Sequence, residues 1–459
     1  MANTYLSKAG GTATDRRKFT ISFWVKRGLL NTSMYFYETY NSGNPSNDRF
    51  LLAVSSANNF RVVNFNGGSA DCEIVTNRVL RDVNAWYHIV VAIDTTQSTA
   101  SNRVKIYING VEETSFSTNN TFAENAYPES QSSSYPTNIG RYNQGAAYFD
   151  GSISHFNFID GTQYQASAFG EYDANGVWKI KTSPSVTYGN NGYFILKDGN
   201  SVTDQSGNSN NFTVGGGTLT KTESSPSNVF NTLNPLDNYY GSSTLSNGNN
   251  TQNQSASAGN YAFIPSTLGF NSGKWYWEMK CVSGHSDNWY GTGITSNTAG
   301  GNNHWLGSFS NDYGMYGYSY GGGLGASYTG NTRTNQGLSF TAGDIIGVAV
   351  DCDNLAIYFS KNGTWMSNAS SVQGVPTSGS SKTGSFFTIT SPSSTTIGFY
   401  FPALCYYDAQ TAVQQANFGN GYFGTTAVSS AGTNASGIGI FEYDVPTGFT
   451  ALSTKGLNE

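Results

Sequence analysis

The chain has 459 residues, 11% charged and 14% aromatic, with 54 Gly, 30 Tyr and 28 Phe. That is the length of two or three domains, and the scarcity of charged helix formers beside the wealth of Tyr, Phe, Thr, Ser, Asn and Gly argues against bundles and coiled coils and for an all-β fold. Lys and Arg number 23 against 29 acids, split 16 against 16 over residues 1–200 and 7 against 13 over 201–459; no basic stripe is left to neutralise phosphates, so no nucleic acid is expected as a partner.

The opening residues 1–8 lack a charged stretch followed by an apolar one, and no window reaches the 18 apolar residues that span a bilayer, so neither a signal peptide nor membrane insertion is expected. Segment 18–26 (KFTISFWVK) puts Phe19, Ile21, Phe23 and Val25 on one face and Thr20, Ser22 and Trp24 on the other, the period of a strand. An apolar strand follows at 86–94 (WYHIVVAID). In 104–110, Val104, Ile106 and Ile108 alternate with Lys105 and Tyr107 before an Asn109-Gly110 turn, which predicts antiparallel strands meeting at tight turns. Residues 147–159 close this first set. The second half replays the order in 274–280 (KWYWEMK), 344–351 (DIIGVAVD) and 355–363 (LAIYFSKNG). No period of 20–50 residues recurs, so the pattern reads as two β-sandwiches of similar construction rather than a repeat array.

Residues 231–260 are rich in Asn, Ser, Gly and Gln and read as a linker or a long surface excursion. The expected organisation is therefore a sandwich over 1–220, a linker over 221–265, a second sandwich over 266–425 and an extended segment over 426–459. The last 20 residues, punctuated by Pro446, are expected to lie along a sandwich as an added edge strand. Cys72, Cys281, Cys352 and Cys405 are single and widely spaced, which suggests buried free thiols rather than a zinc site or a disulfide framework.

Several of these stretches carry a family resemblance. Phe19 to Val25, Trp86-Tyr-His-Ile-Val, Tyr107-Ile-Asn-Gly110, Ile139-Gly-Arg141 and Phe149-Asp-Gly151 resemble a laminin-G or concanavalin A-like lectin sandwich. Gly273-Lys-Trp-Tyr-Trp-Glu278, Gly291-Thr-Gly-Ile294, Gly343-Asp-Ile-Ile-Gly347, Phe359-Ser-Lys-Asn-Gly-Thr-Trp365, Phe401-Pro-Ala403 and Asn417-Phe-Gly419 resemble a SPRY domain. The tandem, joined by stretches like 169–178 and 232–235, is similar to surface proteins of tailed bacteriophages, often labelled tail fibre or virion protein. The resemblance implies two antiparallel jelly-roll or concanavalin A-like sandwiches. It also implies a place on the virion surface, with other virion proteins and a host cell-surface glycan or protein as partners. A homo-oligomer is expected, because weak sugar affinities become useful through several copies.

Enzymes on the concanavalin A-like scaffold use paired carboxylates on one strand, and the string Glu-x-Asp-x-x-Glu is absent. Glu112 with Glu113, and Asp351 with Asp353, are explained by turns. His88 and His155 lie in apolar strands, and His285 and His304 in loops, without a Gly-x-Ser-x-Gly elbow. The segment Gly321-Gly-Gly-Leu-Gly325 lacks the Lys of a phosphate-binding loop. A non-enzymatic protein is expected. The laminin-G resemblance raises Ca²⁺ as a cofactor, with Asp94, Asp150 and Asp160 as candidate ligands, although each also fits a turn cap.

The strongest functional signal is the aromatic run between 287 and 329. There Trp289, Tyr290, His304, Trp305, Tyr313 and Tyr316 are candidate ligand-binding residues, spaced by Asn, Gly and Ser together with Tyr318, Tyr320 and Tyr328. Rings stack on the C–H faces of sugars, and Tyr or Trp on polar loops is also the composition of protein paratopes. The alternation of Tyr316, Tyr318 and Tyr320 equally predicts a strand with one buried face. The alternative to a receptor-binding role is a purely architectural one, docking other virion proteins; a polysaccharide depolymerase is the third reading.

Overall fold

The computed structural model describes residues 3–143, 147–197, 201–238, 243–254, 261–284, 289–297, 304–318, 324–407 and 411–458. It is nearly all β, with strands short, twisted and antiparallel apart from a few isolated contacts. The chain divides into two compact units, one of residues 1–221 with 225–227, the other of 222–224 with 228–459.

In the first unit an eight-stranded sheet faces a six-stranded one. The eight-stranded sheet runs in the order Phe116–Asn120, Ser69–Val79, Asn59–Asn66, Arg49–Val54, Met34–Tyr40, Thr137–Ile139, Tyr5–Lys8, Thr213–Gly216. The six-stranded sheet runs Tyr193–Ile195, Gly151–Asp160, Lys18–Arg27, Tyr87–Asp94, Val104–Ile108, Val111–Glu112. Alternation decides the core: Phe19, Ile21, Phe23 and Val25 point between the sheets, where Phe19 stacks on Phe158 and Phe23 on Phe156. The opposite face is buried as well. Residues 164–188 fold back over it, packing Phe169 and Trp178 against Val90, Tyr107 and Ile159.

The second unit repeats the architecture. Its larger sheet contains Ser243–Ser246, Thr251–Gln254, Ala412–Asn417, Lys274–Ser283, Ile345–Asp351, Ala356–Lys361 and Thr364–Trp365 in that order, with Phe387–Thr388 and Thr450–Ala451 attached off the path. Its six-stranded sheet runs Tyr261–Pro265, Phe401–Tyr407, Tyr290–Thr295, Asp312–Tyr316, Gly325–Thr329, Thr332–Leu338. Trp277, Met279, Ile346, Val348, Ile357 and Phe359 share the core between the sheets.

Two boundaries differ from the sequence reading. Much of the expected linker 221–265 is sandwich: Ser243–Ser246 and Thr251–Gln254 are strands, and Tyr261–Pro265 is an edge of the smaller sheet. The Asn and Gln that suggested a linker are spent inside the sheet. Gln252 Nε2 donates to Ala262 O at 2.9 Å, and Gln414 Nε2 donates to Gln252 Oε1 at 3.2 Å. Residues 239–242 and 255–260 of this stretch lie outside the described residues. The C-terminal segment, expected as an edge strand, forms a strand at Thr450–Ala451, in parallel with Trp275 and Tyr276 of an internal strand, and makes isolated bridges from Ile440 to Asn420 and from Ser453 to Phe230. Its main contact is with the outer face of the larger sheet, where Ile438, Phe441, Val445 and Phe449 cover Tyr276, Ala349 and Tyr358. An apolar face needs covering more than a polar edge needs pairing, since removing apolar area from water is the larger gain.

Candidate functional site

The aromatic candidates divide into core and surface. Tyr290 and Tyr316 are 0% and 1% exposed, and Tyr313 is buried against Phe387 and Tyr400, so all three rings are enclosed. Tyr316 donates to the Leu306 carbonyl at 2.9 Å. As ligand contacts these three are corrected: a ring enclosed by its own sheet has no face to offer. Tyr290 and Tyr313 point between the sheets, whereas Tyr316 lies on the opposite face beside Gly291 and is closed over by segment 304–309.

His304 is corrected as well. It is fully buried, with Nε2 2.8 Å from Asp312 Oδ2 and the ring 4.4 Å from that of Phe263. Asp312 also accepts Thr295 Oγ1 at 2.6 Å and Asn297 Nδ2 at 2.9 Å. The pair clamps segment 304–309 across the outside of the smaller sheet, over Gly291 and Gly314. A Cβ at Gly314 would meet Leu306, and one at Gly291 would meet the Tyr316 ring at 2.5 Å. The glycines are thus required by close packing, not by turns.

What remains at the surface is a row of rings crossing one end of the smaller sheet. Tyr407 pairs with Tyr261 in register, and Tyr407 N donates to Trp289 O at 3.4 Å. Trp289 precedes Gly291 by two residues and Tyr318 follows Tyr316 by two, and Gly291 pairs with both Cys405 and Tyr316. The period of two therefore brings Tyr318, Trp289, Tyr407 and Tyr261 side by side. Ring centroids lie 4.9 Å apart for Tyr318 and Trp289, 5.0 Å for Trp289 and Tyr407, and 4.4 Å for Tyr407 and Tyr261. Trp305 stacks on Tyr261 at 5.5 Å and 20°. Trp289 is 8% exposed; the other four rings are half-buried. Of the sequence candidates, Trp289 and Trp305 belong to this row. Tyr261 and Tyr407, on strands far apart in the chain, were not singled out; their signal is only the Tyr-Tyr at 406–407 and an isolated aromatic at the start of a strand. Tyr320 and His285 lie outside the described residues.

The three candidate calcium ligands do not converge. Asp150 and Asp160 flank the ten-residue strand Gly151–Asp160, roughly 30 Å apart at the rise of a strand. Asp160 is already filled by N–H donors, from Thr14 at 2.6 Å, Asn191 at 3.0 Å and the Gln131 side chain at 3.2 Å. Asp94 accepts Thr96 N and Oγ1 and Gln97 Nε2; burial works against its charge, but these bonds and the nearby Lys18 hold its carboxyl below the ordinary range. Burial pushes Asp150 up to about 6. These residues do not fit an oxygen cage for a hard cation. Among the described residues no group of three or more His, Cys, Asp or Glu is placed to hold a metal.

His88, the other fully buried histidine, is likewise structural. Trp178 Nε1 can only donate, so at 3.0 Å it fixes His88 Nδ1 as an acceptor, and His88 Nε2 donates to Ser22 Oγ at 2.9 Å. Burial lowers the imidazole to about 3, and among the described residues both ring nitrogens are taken by Ser22 and Trp178, with no carboxylate bonded to the ring.

Comparison with known proteins accords with this geometry. A model of the concanavalin A-like lectin/glucanases superfamily matches residues 2–167, and a SPRY domain model matches residues 274–404. Among solved structures, the chain is similar to the SPRY domain of human HERC1, with 17% identity over 40% of this chain and 96% of that one and a TM-score of 0.29. It is also similar to the native heptameric SAP-like pentraxin from Limulus polyphemus, with 15% identity over 36% of this chain and 72% of that one and a TM-score of 0.28. No curated protein matches. The chain carries a concanavalin A-like domain and a SPRY domain in tandem, both lectin-like or binding scaffolds.

Proposed function

We propose that this chain is a non-enzymatic surface protein of a virion, a bacteriophage tail fibre or capsid decoration, that holds a glycan or protein of the host envelope. The observation that carries the binding role is the row Tyr318, Trp289, Tyr407, Tyr261 and Trp305, aromatic side chains gathered from four strands at one end of the SPRY sandwich. Four of these rings are half-buried at the edge of the core, with Trp289 beneath them, and aromatic side chains left partly open to solvent are a usual mark of a recognition site. The non-enzymatic reading is supported by the two fully buried histidines, whose ring nitrogens hold the fold together at Ser22, Trp178 and Asp312. The virion assignment rests on the likeness of the tandem to phage surface proteins.

The test is direct binding of the purified full chain to bacterial cells, beside immunogold labelling of phage particles. Saturable binding that Trp305→Ala weakens, with label on particles, supports the proposal. A chain present in particles that binds no cell points instead to an architectural component. Absence from particles overturns the virion assignment.

A further inference from the structure

A buried cation in the first unit stands apart from the aromatic row. The inward face of the Lys18–Arg27 strand carries Phe19, Ile21, Phe23 and Val25 into the core and ends in Arg27, which is 1% exposed. There the side chain reaches the opposite sheet: Nη1 donates to Asn58 Oδ1 at 3.1 Å and to the carbonyl of Leu80. Asn58 is held in turn, since its Oδ1 accepts Asn31 N and its Nδ2 donates to Asn31 Oδ1, each at 2.9 Å. Both Nη1 hydrogens are thereby taken, which fixes the plane of the guanidinium. Its other edge has no acceptor among the described residues: Nε and Nη2 are buried without a hydrogen-bond partner. Those two nitrogens form the side-on fork that grips an oxyanion through two parallel hydrogen bonds.

The charge is as unbalanced as the hydrogen bonding. Among the described residues no carboxylate pairs with Arg27, and the acid that acts on it is the Tyr87 phenol, whose proton burial holds more tightly. Burial lowers the guanidinium to about 10, so it stays charged at neutral pH. Arg103 shows how this chain otherwise seats such a group: it donates to the carbonyls of Gln97, Ser98 and Phe122 and pairs with Glu124 at 3.5 Å. An enclosed charge is tolerated when it is both paired and hydrogen-bonded. We infer that Arg27 binds a small free oxyanion, a carboxylate of the size of formate or acetate, which accepts the Nε and Nη2 protons and supplies the counter-charge. The burial of Arg27 sets the size, because a larger anion would have to place its remainder among packed core side chains. Bound there, the anion joins the end of the Lys18–Arg27 strand to the turn at Asn58 and to Leu80 after the Ser69–Val79 strand, and so ties the two sheets at this end of the sandwich.

The test is unfolding of the full chain in a formate series, at constant ionic strength with chloride as the balancing anion. A ligand of the folded state alone raises stability by RT ln(1 + [L]/Kd), so above half-saturation each tenfold rise in formate should lower the unfolding constant of the first unit about tenfold. Arg27→Met, which keeps the length and removes both charge and fork, should show no dependence on formate. Arg27→Lys, which keeps the charge alone, should lose most of it. Hydrogen exchange of the wild type needs no variant to fold. Formate should slow exchange of the Leu80 amide, bonded to Asn58 O at 2.9 Å, severalfold, and leave the Ile345–Asp351 strand of the second unit unchanged. An equal response of wild type and Arg27→Met overturns the inference, as does Leu80 exchange indifferent to formate, and either result assigns the fork to water.

Discussion

Glu278 offers the sharpest test of how the second sandwich is held together. It sits on the Lys274–Ser283 strand, 0% exposed, beneath the C-terminal cover. Its carboxyl accepts the backbone N–H of Glu442 and of Tyr443, each at 2.9 Å, and also Tyr276 Oη at 3.2 Å and Asn417 Nδ2 at 3.3 Å. Burial pushes the group up to about 7 from an ordinary 4.5, against the pull of these donors. Since folding raises its proton affinity, its contribution to stability is full below about pH 4.5 and is lost as pH rises through about 7. A shift of that size corresponds to about 3 kcal/mol. Glu278→Gln keeps the shape and abolishes the titration. The wild type should therefore gain about 2–3 kcal/mol over the variant between pH 8 and pH 5, because the other buried carboxyls cancel in the difference. The assay is urea unfolding followed by tryptophan fluorescence, with Trp275 and Trp277 on the same strand, beside hydrogen exchange of the Glu442 and Tyr443 amides. A gap between the two proteins that does not change with pH would refute the reasoning.

Four other outcomes follow from other contacts in the two units. Trp178→Phe removes the donor to His88 Nδ1 and should cost about 1–2 kcal/mol. Because the folded imidazole is lowered to about 3, the first unit should lose stability as pH falls below about 6.5, seen as a falling melting temperature. Gly293→Ala drives a Cβ into the carbonyl oxygen of Tyr313 on the paired strand, and should destabilise the second unit by about 2–3 kcal/mol in urea titrations. All four cysteines are buried, and burial pushes the Cys352 and Cys405 thiols up to about 12, so a thiol reagent at pH 8 should label none of them until the protein is unfolded.

The strands were legible because their inward faces follow a period of two that needs only local sequence. Phe19, Ile21, Phe23 and Val25 are each fully buried, as that period requires. What lies on the other face was not legible. Thr20 and Ser22 lie on that other face, and both are buried beneath a segment about 145 residues later, where Thr20 Oγ1 donates to Thr162 O. Composition misled where polar side chains do structural duty, as with Gln252 and Gln414 inside a sheet that read as a linker. The aromatic row was half legible. Trp289 and Trp305 fall in one dense stretch, but Tyr261 and Tyr407 meet only through pairing of strands about 145 residues apart, and no local pattern encodes that.

The two sandwiches solve one problem in the same way. A sheet buried on one side by its partner still carries Val90 and Tyr107 in the first unit, and Tyr276, Ala349 and Tyr358 in the second, on the side that would face water. In each unit a later segment, 164–188 in the first and 438–449 in the second, folds back to cover that side, and apolar contact alone would let such a cover slide. A buried polar group in the sheet supplies the register: His88 accepts from Trp178, and Glu278 accepts from the backbone of Glu442 and Tyr443. Displacing either cover would leave that acceptor unsatisfied and away from water, a cost that falls on one alignment only. This assigns the buried His and Glu, the residues that most resemble catalytic groups in an otherwise charge-poor sequence, to fastening the fold. It leaves the aromatic row of the second unit as the surface on which recognition has to be sought.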